Sequence, residues 1–386
     1  MIYLLALILL LLAAGYGIRE SVKPVFLPAL EPAYHFQATR LSEGPIIYSK
    51  LHQRLLTEEK ELGYPNINGP SLIRVPDWLP HPLGKYYLYF AHHKGSYLRL
   101  AYADSLSGPW KVFDSEILPL NKTGLATEPS DKASGVYDLI KYTHLSEALA
   151  LYKIGTDARK AWEERQEKKI RSSPPTTPHV ASPEVIVDHE HKKIRLYYHG
   201  VVEGSLQMTK VAESEDGLDF QARKGILGLP YMRVFNYRGK VYGMSMPGIL
   251  YRSRDGIREF EVRKRWLFST DVRHAGLYLN GEDLYIFFSK VSDSPERIFY
   301  TRMNMRAEDW NEWAVEPPRE LLRPERAWEG ASLEKKASLR GAMGEAVNQL
   351  RDPDIFRDVD GKLYMLYTGA GEQAIGIVSL DKIQDP

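Results

Sequence analysis

Five copies of one strand pattern recur along the chain, and they constrain its fold more than any other feature. Each copy has a first strand that opens on Pro or a charged residue, a tight turn, a Tyr-rich second strand, and a third strand that ends near Ser or Asp. The copies begin at Gly69, Ser182, Tyr231, Arg273 and Arg351. Internal repetition of this kind is typical of repeat architectures, in which each unit needs its neighbours to bury a core.

Turn dipeptides show how the strands of a copy are joined. Asn280-Gly281 and Asp360-Gly361 lie between strands of alternating apolar residues, which is the pattern of antiparallel hairpins. Short strands grouped in fours and repeated five times predict an all-β fold, a five-bladed β-propeller whose radial closure leaves few exposed strand edges. We expect this domain to cover residues 40–386.

The fifth copy contains only three strands before the sequence ends. A closed ring must therefore take its last strand from elsewhere in the chain. The segment GPIIYSKL, which starts at Gly44, is the spare strand-like piece. We predict that it completes the last blade, and that removal of the chain up to about residue 55 destabilises the ring.

Residues 121–178 separate the first two copies by more than a blade needs. Within them, the segment HLSEALALYKIGTDARKAWEERQEKKI has apolar residues at helical spacing followed by dense charge, which indicates helix. The polar, Pro-rich segment SSPPTTP ends it as a linker. We predict an α-helical insertion on one rim of the propeller, either a lid over the cleft or a solvated decoration.

The N-terminus carries an apolar run from Tyr3 to Gly15. A helix that spans a bilayer needs about 20 such residues, so this run is short. It matches the apolar core of a secretory signal, although no Lys or Arg precedes it. Residues 1–18 are therefore predicted to be a cleaved signal peptide or an uncleaved membrane anchor. Both readings place the protein outside the cytoplasm, in the periplasm or secreted.

Composition excludes several functional classes. A formal net charge of +1 lacks the basic excess with which nucleic-acid-binding proteins neutralise phosphates. The chain has no cysteine, which excludes disulfides, thiolate metal sites and a cysteine nucleophile. We expect a monomer or a small homo-oligomer.

Charged residues cluster where a propeller would bring its innermost strands together at the axis. Strand propensity does not require charge at these points. Further polar residues follow the second strands of three copies and are expected at the same rim. The candidates at the axis and rim are Asn68, Gly69, His92, His93, Glu184, His199, Tyr231, Arg233, Arg273, His274, Arg351, Asp352, Asp354 and Glu372.

The strand openings R-D-P-D-I-F at Arg351 and S-P-E-V at Ser182 resemble those of the five-bladed propeller glycoside hydrolases of families 43, 32 and 117. The resemblance runs from about Gly44 to Leu380, apart from the insertion. It implies a sugar bound in a central pocket and cleaved by carboxylates from different blades.

The resemblance also implies roles for individual residues. Asp352 would be the base or nucleophile, Glu184 the general acid, and Glu372 the reserve acid. Arg351 is expected to hold Asp352 ionised. Residues expected to bind substrate are Asn68, His92, His93, His199, Arg233, Arg273, His274, Arg351 and Asp354. The arginines among them suggest an anionic sugar.

The sequence departs from the family pattern at two places. Tyr231 and Arg233 stand where the third blade would carry a carboxylate, and Asn68-Gly69-Pro70 replaces an Asp of the first blade. A non-catalytic carbohydrate-binding propeller and a protein-interaction scaffold are therefore alternative readings. No cofactor is expected to be required, and a bound divalent cation such as Ca²⁺ stays open.

Overall fold

The computed structural model describes residues 34–129, 177–202, 207–268, 271–339 and 341–384. Its strands form five antiparallel sheets, each with four strands in an unbroken path. The prediction of a five-bladed β-propeller is confirmed. Residues 1–18 and nearly all of the predicted helical insertion lie outside the described residues.

Two strands and a helix precede the first blade: β1 (Tyr34–Arg40), β2 (Ile47–Tyr48) and α1 (Gln53–Leu62). The first blade contains β3 (Asn68–Arg74), β4 (Tyr86–Ala91), β5 (Arg99–Ala103) and β6 (Lys111–Val112). The second contains β7 (Val180–Asp188), β8 (Lys193–Val201), β9 (Gln207–Ser214) and β10 (Gln221–Ala222). The third contains β11 (Arg233–Tyr237), β12 (Lys240–Ser245), β13 (Ile249–Ser253) and β14 (Glu261–Val262).

The fourth blade contains β15 (Val272–Asn280), β16 (Asp283–Lys290), β17 (Ile298–Asn304) and β18 (Ala314–Val315), with β19 (Arg319–Leu322) also paired to β17. The fifth contains β20 (Arg351–Arg357), β21 (Leu363–Gly369) and β22 (Ala374–Gln384). In every blade the first of these strands is the innermost. No helix among the described residues combines the length and the apolar character that crossing a membrane requires.

The Tyr-rich second strands join neighbouring blades. The hydroxyl of Tyr89 in β4 donates a hydrogen bond to the carbonyl of Gly217 in the second blade, at 2.7 Å. Tyr197 in β8 makes the equivalent bond to Gly256 of the third blade, at 2.9 Å. Both glycines lie in Asp-Gly turns and have positive φ, +73° and +74°, which glycine adopts without steric cost. Each tyrosine therefore packs an apolar ring between blades and satisfies its hydroxyl on the next turn.

The N-terminal part of the chain closes the ring, but not through the segment that we predicted. β1 pairs with β22 along its whole length, from Tyr34 opposite Gln384 to Arg40 opposite Val378. The segment from Gly44 contributes only β2, which pairs with the first two residues of β22. The outer strand of the fifth blade therefore lies ahead of both the predicted segment and the predicted domain boundary at residue 40. In β1, polar residues alternate with Phe36 and Ala38. The Phe36 ring is buried against Tyr285 and Tyr300 of the fourth blade.

Candidate active site

β-Bulges shape the inner strands at the propeller axis. β3, β7, β15 and β20 each show a register shift next to the axis, between Asn68 and Ser71, Ala181 and Glu184, Val272 and Ala275, and Arg351 and Asp354. A bulge bends its strand and redirects side chains, and bulges are common beside active sites. Here they redirect side chains of four blades toward one point.

Four residues with left-handed backbone dihedral angles lie at the same level of the propeller axis as the bulges. Gly69, Ser182 and Asp352 lie inside the bulges with φ of +55°, +46° and +51°, and Tyr231 has φ of +61° just before β11. Positive φ is unfavourable for residues other than glycine and occurs where the surrounding structure enforces it, often at functional sites. These four residues therefore occupy equivalent positions in four blades.

A small cavity lies at this level, with a volume of about 10 Å³, which is room for about one water molecule. All five blades contribute to it. Its lining residues are Gly69, Ser182, Tyr231, Arg233, His274, Ala275 and Asp352. Sequence reasoning identified five of the seven and missed Ser182 and Ala275. Ser182 could have been found from its alignment with Gly69 and Asp352 at the start of each copy.

Asp352 is the carboxylate that lines the cavity. Its Oδ1 contacts Nδ1 of His274, and its Oδ2 accepts a hydrogen bond from the Gly69 backbone N–H at 3.2 Å. Burial alone would raise the pKa of Asp352, but His274 and Arg273 together more than offset burial, and the pKa is lowered. Burial lowers the pKa of His274, so a neutral ring can donate Nδ1–H to an ionised carboxylate. The direct contacts of Asp352 come from His274 and Gly69, whereas Arg351 forms its ion pairs with Glu296 and Glu372 and interacts with Asp352 only electrostatically.

Arg233 joins the inner strands of several blades. Its guanidinium lies 2.6 Å from Oε2 of Glu184 and 3.5 Å from Oδ1 of Asp354. It also donates hydrogen bonds to the carbonyls of Pro70, Pro183 and Ala275. Burial raises the pKa of Glu184 to about 7, and it also raises the pKa of Asp354, against the opposing effect of Arg233. The two carboxylates therefore compete for one cation.

Glu184 and Asp354 also link adjacent inner strands. Oδ2 of Asp354 accepts a hydrogen bond from the Leu72 N–H of the first blade at 3.1 Å, and Oε1 of Glu184 accepts one from the Val234 N–H of the third blade at 3.3 Å. Each lies two residues after a residue with positive φ. Glu184 is thus the counterpart of Asp354, and Ser182 is the counterpart of Asp352. The structure places Glu184 behind Arg233 rather than in the cavity lining.

Glu372 is buried in a cradle of donors on the first and fifth blades. It lies 3.0 Å from Arg351 and 3.5 Å from Nδ1 of His93, and it accepts a bond of 2.5 Å from Nδ2 of Asn66. Burial would raise the pKa of Glu372, but His93, Arg351 and Asn66 hold it well below its usual range. These partners favour the ionised form of Glu372, whereas a general acid must carry a proton, and the reserve role stays a prediction. Asn66 was missed because it precedes the strand.

A buried ionic chain continues from Glu372 into the fourth blade. Arg351 pairs with Glu296 at 2.8 Å, and Glu296 lies 3.4 Å from Nε of Arg273. The charged segment DSPER, which starts at Asp293, predicts an outer hairpin with a salt bridge. The salt bridge exists between Arg297 and Asp293, but Glu296 points inward and is fully buried. Arg273 and Arg351 therefore have carboxylate partners of their own and do not line the cavity.

Histidines form the remaining side of the site. The ring of His93 lies 6.1 Å from His179, which lies 5.8 Å from His199. Burial lowers the pKa of His92 and of His179 to about 4, and it holds that of His199 well below the usual value. Within the described part of the chain, neither ring nitrogen of His199 has a hydrogen-bond partner. His179 was missed by sequence reasoning because it lies before the strand opening.

Asn68 belongs to this side as well, where its amide lies 3.2 Å from Nδ1 of His93. No group of three or more His, Asp or Glu among the described residues is arranged to hold a metal ion. The substrate contacts expected of Asn68 and of the histidines stay predictions, as does calcium binding.

Comparison with known proteins relates the fold to glycoside hydrolases. No family profile matches the chain. A putative glycoside hydrolase from Parabacteroides distasonis superposes with a TM-score of 0.50 at 9% identity, over 83% of this chain and 88% of that one. CoXyl43, a family 43 β-xylosidase/α-arabinofuranosidase from a compost microbial metagenome, gives a TM-score of 0.49 at 10% identity, over 90% of this chain and 96% of that one. The chain thus shares the fold of the Parabacteroides distasonis protein.

A sequence relative comes from a giant virus. The uncharacterized protein R118 of Acanthamoeba polyphaga mimivirus is 32% identical over 342 residues, which cover 82% of this chain and 84% of the viral protein. Identity at this level across most of both chains indicates common descent of the whole propeller. The chain described here therefore belongs to the same protein family as mimivirus protein R118.

Proposed function

We propose that the protein is a glycoside hydrolase that acts outside the cytoplasm on an oligo- or polysaccharide bound at the axial cavity. The supporting observation is the contrast between two carboxylates near Arg233. The environment of Asp352 keeps it ionised, whereas burial raises the pKa of Glu184 to about 7. Glycosidic cleavage needs one carboxylate as base or nucleophile and one protonated carboxyl as acid, and oppositely shifted pKa values identify such pairs.

In this proposal Asp352 attacks or activates water, because it lines the cavity and is oriented by His274 and Gly69. Glu184 supplies the proton to the leaving oxygen. Since Arg233 separates Glu184 from the cavity, substrate must reach Glu184 beside that guanidinium. A sugar hydroxyl that binds Arg233 in place of Glu184 would weaken the pairing of Glu184 with that guanidinium. Glu184 would then hold a proton more readily and could donate it to the leaving oxygen.

A second candidate function is carbohydrate binding without hydrolysis. One observation favours it: both oxygens of Glu184 are engaged, by Arg233 and by the Val234 N–H, while Asp352 alone among the acidic residues lines the cavity. Loss of the acid would leave a polar site that retains affinity for sugar and lacks a proton donor.

Release of reducing ends from a panel of plant, algal and bacterial glycans distinguishes the two candidates. For a hydrolase, Glu184→Gln should lower kcat/KM by about 10²- to 10⁴-fold, which is the usual contribution of a general acid. Glu282→Gln, at an exposed surface pair with Arg238, is the matched control and should leave the rate unchanged. Cleavage at the full rate by Glu184→Gln would remove Glu184 as the acid. A glycan that binds and is never cleaved would favour the binding function.

A further inference from the structure

The axial cavity is too small for the ligand that the proposed function requires. Its volume is about 10 Å³, whereas pockets that bind small molecules usually measure about 300–1,000 Å³. A sugar ring cannot enter unless a side chain leaves. One of the lining side chains must therefore occupy the volume that the sugar ring would need.

Tyr231 is the lining residue in the best position to do so. The other six lining residues are buried, and Tyr231 is the one of the seven that is only partly buried. Its ring lies between two imidazoles, with centroids 4.1 Å from His199 and 4.0 Å from His274. Its hydroxyl interacts with the side chain of Ser182. A six-membered ring with one hydroxyl thus fills the centre of the site.

The backbone at Tyr231 carries a cost that its packing must offset. Its φ of +61° is an outlier for a bulky aromatic residue, and such left-handed backbone costs about 1–2 kcal/mol. Because the Tyr231 side chain is uncharged, no ion pair holds it in place. The position of the ring therefore depends on two tilted ring contacts and on the interaction of its hydroxyl with Ser182, which a ligand with a ring and hydroxyls can replace.

The imidazole beside Tyr231 has hydrogen-bonding capacity that the described residues do not use. His199 is completely buried, and neither of its ring nitrogens has a partner among the described residues. Each unpaired buried polar group costs about 1–3 kcal/mol, and such groups in native proteins call for a specific explanation. The Tyr231 ring covers His199 without offering it a hydrogen bond.

We propose that Tyr231 is an internal ligand that closes the axial site, and that an uncharged sugar ring takes its place between His199 and His274 when Tyr231 swings out. This inference rests on the proposed carbohydrate function. The sugar hydroxyls would then reach the nitrogens of His199, the hydroxyl of Ser182 and the carboxylate of Asp352.

The charges around the site favour a neutral sugar over an anionic one. Arg233 is paired with Glu184 and Asp354, and Arg351 with Glu296 and Glu372. Arg273 shares Glu296. The arginines that suggested an anionic sugar are thus already neutralised, and the groups freed by removal of Tyr231 are neutral imidazoles and the carboxylate Asp352. A sugar carboxylate would be repelled by Asp352.

Direct binding of monosaccharides tests the proposal without any need for catalysis. Dissociation constants for D-xylose, L-arabinose, D-galactose, D-glucose and D-glucuronate are measured on the wild type, Tyr231→Gly and Tyr231→Asn. Glycine and asparagine both tolerate positive φ, so the second variant serves if the first does not fold. Tyr364→Asn is the matched control, because the Tyr364 ring also contacts a neighbouring ring, that of Phe356, but lies on the fifth blade and does not line the cavity.

A closed site lowers the apparent affinity in proportion to the open fraction. If the open form is about one tenth of the population or less, both Tyr231 variants should bind at least one neutral sugar at least about tenfold more tightly than the wild type. D-Glucuronate should bind more weakly than D-glucose, and Tyr364→Asn should match the wild type. Equal affinities of wild type and folded Tyr231 variants would overturn the inference, as would tighter binding of D-glucuronate. Glycan cleavage by the wild type, assayed separately, decides whether the proposed function itself stands.

Discussion

Glu296 of the fourth blade and Arg351 of the fifth form an ion pair of 2.8 Å in which neither side chain is exposed to solvent. The same carboxylate accepts hydrogen bonds from the hydroxyls of Ser289 and Ser338. With Glu372 and Arg273 it forms a charged layer beside the axis. Buried pairs are costly to break because the remaining partner is left as an uncompensated charge.

The first prediction concerns this pair. Glu296→Gln keeps the shape of the side chain but leaves Arg351 and Arg273 short of negative charge, so the free energy of unfolding should fall by about 3–5 kcal/mol. Glu282→Gln, whose partner Arg238 is exposed, should cost less than about 1 kcal/mol. Urea unfolding of both variants measures the difference. Equal, small losses would mean that the buried chain contributes nothing to stability.

The second prediction concerns Gly69, which holds Asp352 through its N–H. A Cβ at this position would lie 2.8 Å from Cα of Ser182, and φ is +55°. Gly69→Ala should therefore destabilise the fold by more than the about 1–2 kcal/mol that positive φ alone costs an L-residue. Gly239→Ala isolates that backbone cost, because its φ is +70° and a Cβ there would meet nothing within 4 Å. Indistinguishable unfolding free energies would show that the approach of the first two blades at the axis is not tight.

The third prediction is a pH dependence of stability. Burial lowers the pKa of His179 to about 4, whereas an unfolded chain has a value near 6.5. Between these values the unfolded state binds the proton and the folded state does not, so stability is present above pH 6.5 and is lost as pH falls toward 4.

This contribution can be isolated by substitution. Between pH 7 and pH 5 the wild type should lose about 2 kcal/mol more than His179→Asn, which cannot titrate. His189→Asn, at an exposed site, should titrate like the wild type. Equal losses in wild type and His179→Asn would contradict the buried, neutral state of His179.

The fourth prediction concerns ring closure. A chain that starts at residue 41 lacks β1 and exposes the edge of β22, whereas one that starts at residue 34 keeps all seven pairs between the two strands. The shorter chain should melt several degrees lower, because Phe36 leaves the core and one strand edge is unpaired. Thermal unfolding of the two chains side by side provides the test. Equal melting temperatures would mean that β1 does not close the ring.

The fold was largely predictable from sequence because the blades repeat. Alternating strands and Asp-Gly turns specify the hairpins locally, and the number of copies specifies the number of blades. β1 was not predicted, because YHFQATR carries only two inward apolar residues, Phe36 and Ala38, among polar ones. Its partner β22 lies more than 330 residues away, so its pairing depends on a contact that no local pattern reports.

The site was predictable only in outline. Position in the repeat placed at the axis five residues that line the cavity: Gly69, Tyr231, Arg233, His274 and Asp352. Which charges pair with each other depends on the bulges and on the rotation of each blade, and it was not predictable. Arg351 pairs with Glu296 and Glu372 instead of Asp352 for this reason. The closure of the site by Tyr231 also needs three-dimensional structure, since nothing in the sequence distinguishes a ring in the cavity from one in the core.

The central claim is that Asp352 performs chemistry on a sugar at the axis. The most direct measurement is to follow cleavage and binding of one oligosaccharide, taken from the glycan panel, on the wild type and Asp352→Asn. The account predicts that the variant loses cleavage by at least about 10³-fold, as expected for removal of a base or nucleophile, while its affinity stays within about tenfold. Asp360→Asn, in an exposed turn, should behave as the wild type. Cleavage at the wild-type rate by folded Asp352→Asn would contradict the account.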